Sequence, residues 1–274
     1  MTQHTTIDTE SYRLRQGSIP VLVSIPHLGV NIPDHLQSAY TPVAAQRADT
    51  DWHLDTLYAF ASELGASVLQ SRLSRYVIDL NRASSGESLY PGQNTTGLCP
   101  TQTFRNEPLY REGMEPSAAD VQHRVQAYWQ PYHDALATEL QRLRALHGQV
   151  LLWEAHSIAS VLPYLFEGKL PDFNFGTHEG RACAAPLLDT VVQVARSHPE
   201  YSVAINGRFK GGYITRHYGA PDQGVHAIQL EMCQCLYMEE AAPFAYAPER
   251  AARVQSVLHA MLRQACAQLA ASTV

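Results

Sequence analysis

Apolar positions along the chain fall into short blocks that read as strands, separated by stretches with the spacing of helices. Val21-Leu22-Val23-Ser24-Ile25 is the run expected of a strand covered on both faces, stopped by Pro26. From Asp51 to Leu64 the residues Leu54, Leu57, Tyr58, Phe60, Ala61 and Leu64 recur at helical spacing, and Gly65 supplies a C-terminal cap. Ala66–Leu69 and Tyr76–Leu80 read as strands. Residues 84–118 hold Pro, Gly, Asn and Thr without a period, which predicts a long loop of the kind that carries function. A helix over Asp120–Leu146 follows, kinked or restarted at Pro131 and ended by Gly148. Val150–Trp153 reads as a strand, and 163–180 as a second irregular excursion. A helix over about 182–197 leads to Tyr201–Ile205, a glycine-rich turn and Tyr213–Thr215. His226–Glu231 is the last clear strand, and Pro248–Leu269 the closing helix. Alternating strands and helices predict an α/β fold, a sheet with both faces covered. No linker, repeat or low-complexity tract divides residues 1–274, so one domain is expected.

Composition then removes whole classes of function. Twenty Lys+Arg against 26 Asp+Glu leave a formal charge of −6. With no basic block, a nucleic-acid or anionic-membrane partner is not expected. The polar leader, His4 included, lacks the apolar core of a signal peptide, and no run of about 18 apolar residues could span a bilayer. The five cysteines (Cys99, Cys183, Cys233, Cys235, Cys266) are scattered rather than framed for disulfides, and read as buried free thiols. A cytoplasmic setting is expected. The one compositional exception is 13 histidines.

Candidate chemistry gathers where strands finish. Ser24-Ile-Pro-His27, Ile78-Asp79-Leu-Asn81-Arg82, Trp153-Glu154-Ala-His156-Ser157 and Gln229-Leu-Glu231 all put polar groups at the carboxyl ends of apolar runs. Ligands of open α/β sheets bind at that edge. Two imidazoles, a carboxylate and an open position make a catalytic zinc site. A further carboxylate serves as base, and Arg with Asn as an anion clamp. Glu154 and His156 share a strand face, so Glu154 could orient His156 or another ligand. Asp79 reads as a turn cap. Asp49 and Asp51 suit the first turn of the next helix, or one of them a metal. Gly207-Arg-Phe-Lys-Gly-Gly212 lacks the order of a phosphate loop. Its Arg208 and Lys210, with Arg216, still supply cations for an acidic substrate. Most of the remaining histidines lie in predicted helices or beside turns and read as ordinary residues; His53, His217 and His226 are intermediate cases not expected as ligands.

These stretches resemble the N-formylglutamate amidohydrolase (N-formylglutamate deformylase) family. The resemblance rests on SIPHLG, DTDWHLDTLYAFASELGASV, SRYVIDLNR, YPGQNTTGLCP, LLWEAHSI, PYLFEGKLPDFNFGT, NGRFKGGYITRHYG and IQLEMCQCLYMEE, in order from about residue 20 to 240. It implies a zinc carboxypeptidase-like fold, a mixed, mostly parallel central sheet flanked by helices. It also implies metal binding by His27 and His156, a substrate-carboxylate grip by Asn81 and Arg82, and Glu231 as general base. Zinc carboxypeptidases place a Glu three residues after the first His, where this chain has Val30. Asp51 is therefore expected to complete the metal site, with Glu154 and Asp49 as alternatives. The oxyanion-stabilising Arg has no motif here; Arg75 and Arg208 are the candidates. The implied reaction is hydrolysis of N-formyl-L-glutamate to formate and L-glutamate in histidine degradation. The implied cofactor is one zinc, with iron or cobalt as other occupants, and Arg208, Lys210 or Arg216 holds the second carboxylate. Rival readings are a deacylase or carboxypeptidase for another N-acyl amino acid or peptide, and a non-catalytic module that senses an acidic metabolite.

Overall fold

The computed structural model describes residues 5–87 and 95–271. His4 and the opening of YPGQNTTGLCP lie outside the described residues. Eight strands form one sheet: β1 (Thr6–Asp8), β2 (Tyr12–Arg15), β3 (Val21–Ile25), β4 (Ser67–Ser71), β5 (Val150–Ile158), β6 (Phe173–Gly176), β7 (Val203–Ile205) and β8 (Val225–Cys233). Their spatial order is β1-β2-β4-β3-β5-β8-β6-β7. The central four, β4-β3-β5-β8, run parallel. β2 and β6 join them antiparallel on either side, which makes the sheet mixed and mostly parallel, as expected. After β3 the chain builds β4 on one side and β5 on the other, so the sheet has a topological switch point between β3 and β5.

Alternation along the central strands sorts their side chains between two cores. Val21, Val23, Ile25, Leu151, Trp153, Ile228 and Leu230 pack with helices Leu54–Leu57, Ala59–Glu63, Ala185–Arg196 and Pro248–Ala271. Leu22, Leu69, Val150, Leu152 and Ala227 pack on the other face with helix Gln130–His147. On that second face the carboxyl halves of β5 and β8 turn polar. Glu154 pairs with Gln229 and His156 with Glu231 in register. The residues at 154 and 156 therefore lie within a nine-residue buried strand rather than beyond a four-residue one.

Tyr76–Leu80, expected as a strand, is a buried non-strand segment. Its apolar side chains join the second core, but its backbone groups bond outside any ladder. Asp79 N–H donates to Leu98 O (2.7 Å), while the carbonyls of Tyr76 and Val77 accept from Tyr40 Oη (2.9 Å) and Arg124 Nη1 (3.0 Å). Burial needs apolar side chains and satisfied backbone groups, and here loop backbone and side chains together satisfy them in place of a ladder. The short strands β1, β2 and β6 carry too little apolar pattern to be read; β6 fell in the expected excursion. Tyr213–Thr215 opens a short helix, Tyr213–Tyr218. The expected helix over Asp51–Leu64 starts only at Leu54, because His53 takes a left-handed conformation (φ 62°). Pro131 stands in the first turn of the α-helix Gln130–His147, where the expected restart falls. A π-turn over Val125–Trp129 precedes it, and the carbonyl of Ala127, four residues before the proline, accepts the Ser11 hydroxyl (3.4 Å). The cysteines are free, but only Cys183 and Cys233 are buried; the other three are half-buried. No described helix is long and apolar enough to cross a membrane.

Candidate active site

His27 sits two residues past β3, and His156 projects from β5, so the two rings face each other across the switch point. Their centroids are 4.8 Å apart. The segment 49–53 is fastened beside them by several side-chain and backbone bonds. Asp51 N–H donates to His27 O (3.0 Å), Gln234 Nε2 to Thr50 O (3.0 Å) and Tyr237 Oη to Trp52 O (2.9 Å). Asp51 is thereby aimed at the histidines and caps no helix. Its Oδ2 lies 3.0 Å from His156 Nδ1 and 3.8 Å from His27 Nδ1.

Both rings use the other nitrogen in the same way. His27 Nε2 bonds Asp79 Oδ1 (2.7 Å), and His156 Nε2 bonds Glu154 Oε1 (2.7 Å). Glu154 is held in turn by the hydroxyl of Thr215, and Asp79 by Arg75 Nη2 (2.6 Å) and Asn81 N–H (2.9 Å). A carboxylate on Nε2–H fixes the tautomer that leaves the Nδ1 lone pair for a metal. The donor atoms of His27, Asp51 and His156 lie within 4.8 Å of one another, all buried. This donor set fits a divalent ion of the zinc type. Arg75 Nη1 stands 3.2 Å from His27 Nδ1, beside the same point.

Electrostatics follow from burying several acids with few cations. Burial alone would raise Asp79, but His27, Arg82 and Arg75 hold it well below the usual carboxylate range. Burial lowers His27, and Arg75 adds to that. For His156 the hydrogen bonds to Asp51 and Glu154 outweigh burial and hold the imidazolium well above its ordinary value. Glu231 is pushed up to about 8 by burial, with Asp51 and Glu154 beside it and His156 and Arg75 opposing. Gln229 ties Glu231 to the glycine-rich turn. Its Oε1 accepts Gly212 N–H (2.6 Å), which leaves Nε2 to face Glu231 Oε2 (3.5 Å). Gly212 has no room for a side chain, since a Cβ would lie 2.3 Å from Asn81 Nδ2.

Next to the cluster opens a cleft of about 630 Å³, its mouth included, lined among others by His27, Arg75, Asn81, Arg82, His156, Arg208, Gln229 and Glu231. Of the residues expected at the site, His27, Asp51 and His156 meet, Glu154 braces His156, and Asn81, Arg82, Arg208 and Glu231 line the cleft. Asn81 Oδ1 accepts Ile214 N–H (2.9 Å), and Arg82 is held by the carbonyls of Thr96 and Asn81 (3.0 Å each). Lys210 and Arg216 are not among the lining residues. Lys210 pairs with Glu179 (2.8 Å), and Arg216 Nε donates to Gly211 O (2.8 Å). Asp49 Oδ2 accepts the Phe104 N–H (2.9 Å), and Asp49 stays outside the donor cluster. Sequence reasoning missed Asp79 and Gln229. For Asp79 the available signal was a charged residue between Ile78 and Leu80.

Fold and side-chain clustering together define an α/β protein with a candidate active site at the carboxyl edge of the sheet. A profile of the N-formylglutamate amidohydrolase family matches residues 19–238. The chain is 48% identical over 253 residues to an N-formylglutamate deformylase of Pseudomonas aeruginosa, covering 92% of this chain and 95% of the relative. It is 47% identical over 248 residues to that of Pseudomonas putida, covering 90% and 92%. The crystal structure of an N-formylglutamate amidohydrolase from Ralstonia eutropha superposes with a TM-score of 0.80 at 27% identity, covering 94% and 97% of the two chains. The chain belongs to the N-formylglutamate amidohydrolase family and is a hydrolase of amide bonds.

Proposed function

We propose that the protein hydrolyses N-formyl-L-glutamate to formate and L-glutamate, with one divalent ion, zinc by its donor set, held by His27, Asp51 and His156. The observation that carries this reading is the convergence of those three donors with Glu231 at the edge of an arginine-lined cleft. When bound there, the ion supplies Lewis acidity to a water and to the formyl oxygen. Glu231 accepts the proton of the attacking water and returns it to the leaving nitrogen. Asn81 and Arg82 grip one carboxylate of the substrate. Arg208 is the remaining lining cation suited to the other, in place of Lys210 and Arg216. Arg75, anchored on Asp79 and lying over the Phe104 ring (4.6 Å), faces the developing oxyanion. Asp79 and Glu154 hold the two imidazoles in the ligating tautomer.

A role in histidine degradation, inside the cytoplasm and within one domain, belongs to the same reading. The test is formate release from N-formyl-L-glutamate, lost on chelation and restored by zinc. Bound metal without formate, but with release of a larger acyl group or a C-terminal residue, would move the assignment to a related deacylase or carboxypeptidase.

A further inference from the structure

Among the described residues, the apolar side chains lining the cleft are Phe104, Ile158, Leu165 and Phe209, and their contacts sort them into two pairs. Leu165 and Phe209 go with Arg208. The Leu165 carbonyl accepts from Arg208 Nε (3.3 Å), and the guanidinium stands 5.3 Å from the centre of the Phe209 ring. Phe104 and Ile158 go with the metal donors. Ile158 follows His156 by two residues on β5, so both side chains leave the same face of the strand. Phe104 is tied by its N–H to Asp49 Oδ2 (2.9 Å). Its ring faces the guanidinium of Arg75, whose Nη1 is 3.2 Å from His27 Nδ1. Both residues are buried.

A second, smaller space of about 190 Å³, its opening included, adjoins this pair. Phe104, Ser157 and Ile158 line both spaces and so form the partition between them. Phe104 and Ile158 are also packed in one apolar cluster with Ala159, Leu162 and Leu170. Side chains packed in this way do not move aside cheaply for an added carbon.

We infer that Ile158 and Phe104 set the acyl-group selectivity of the enzyme, closing the acyl end of the reaction centre to anything larger than hydrogen. The inference rests on the deformylase reading and deepens it. An amide carbon at the donor set sends its three substituents in three directions. The oxygen faces the donors and Arg75. The nitrogen carries the glutamate, with its two carboxylates, toward Arg82 and Arg208. The third substituent is left against Ile158 and Phe104. A hydrogen needs no room there, whereas a methyl group meets the partition. The space behind it is where a larger acyl group would go once the partition is cut back.

The experiment measures kcat/KM for N-formyl-L-glutamate and N-acetyl-L-glutamate in the metal-loaded parent, Ile158→Ala, Ile158→Val and Leu165→Ala. A formamide is more reactive than an acetamide, but that difference is common to all four proteins and cancels when their formyl-to-acetyl ratios are compared. Ile158→Ala is expected to lower the ratio by about 10- to 200-fold, chiefly by gaining acetyl hydrolysis. Ile158→Val should lower it less and in the same direction. Because it keeps a β-branched side chain on the strand, it preserves the readout if the alanine variant does not fold. N-acetyl-L-glutamate should also inhibit formate release more tightly in the same order. Leu165→Ala, on the Arg208 side, should weaken both substrates together and leave the ratio unchanged. An unaltered ratio in the folded Ile158 variants, or an equal fall in Leu165→Ala, would overturn the inference. Absence of formate from the parent would instead remove the deformylase reading itself, so the two failures are distinct.

Discussion

Both edges of the sheet bury carboxylates, and they do so in opposite ways. At the amino edge Glu139, wholly buried, accepts from Ser67 Oγ (2.5 Å), Gln16 Nε2 (2.9 Å), and Arg142 Nε and Nη2 (2.8 and 2.5 Å). One acid meets one guanidinium and a full set of donors. At the carboxyl edge Asp49, Asp51, Asp79, Glu154 and Glu231 are all buried, and Arg75 is the guanidinium buried among them. Asp49 Oδ1 has no hydrogen-bond partner there. A buried acid matched within the chain is structural, whereas an excess of buried acid is tolerable only where a cation or substrate completes it. Equal burial therefore reads differently at the two edges: a clamp at one, and at the other the site proposed for the reaction.

The sharpest way to break that contrast is at Glu231. Glu231→Gln is expected to lower kcat by about 10²- to 10⁴-fold with metal content unchanged by elemental analysis; near-normal turnover would return Glu231 to the structural class. Asp79→Asn should weaken metal binding by about 10–100-fold in a chelator competition, since His27 loses the acceptor that fixes its tautomer. Unaltered affinity would leave Asp79 as only a partner for Arg75. At the opposite edge Arg142→Met should cost about 2 kcal/mol in urea unfolding, below the ~3–5 of a fully buried pair because Arg142 is 31% exposed. Its kcat and KM should match the parent enzyme, and a kinetic defect would blur the two edges.

The smallest effect is expected at a buried imidazole belonging to neither edge. His133, bonded to Leu80 O and Tyr218 Oη (2.9 Å each), is pushed down to about 3 by burial. The unfolded chain, with His near 6.5, binds a proton there that the folded state excludes. Stability contributed by neutral His133 is thus complete above pH 6.5 and falls as pH drops toward 3, by up to about 1.4 kcal/mol per unit. Urea titrations from about pH 7 to about pH 5 should show a shallower slope in His133→Gln than in the parent. Equal slopes would place the acid sensitivity elsewhere.

Legibility followed burial on both faces. β3, β5, β8 and the last helix were readable because their apolar runs are long or strongly periodic. Tyr76–Leu80 had the same look, yet tertiary partners such as Tyr40 and Arg124 took over its backbone. β6 was hidden because Phe173-Asn-Phe-Gly176 carries little more than two aromatic residues of pattern. At the site His27, His156, Asn81, Arg82 and Glu231 were readable as polar residues ending apolar runs. That Asp79, and not a ligand, would brace His27 depends on a contact 52 residues apart in sequence.

By itself the sequence determined the strand-forming blocks, the residue types available at their carboxyl ends and the family to which the chain belongs. Only the tertiary structure decided which carboxylate meets the two histidines, which nitrogen of each ring is left for a metal and which arginines reach the cleft. Patterning records how each residue prefers to be buried, a local property. Charge matching and hydrogen-bond direction exist only once distant segments meet, as when Asp51 is tied to the carbonyl of His27 and Gln234 to that of Thr50.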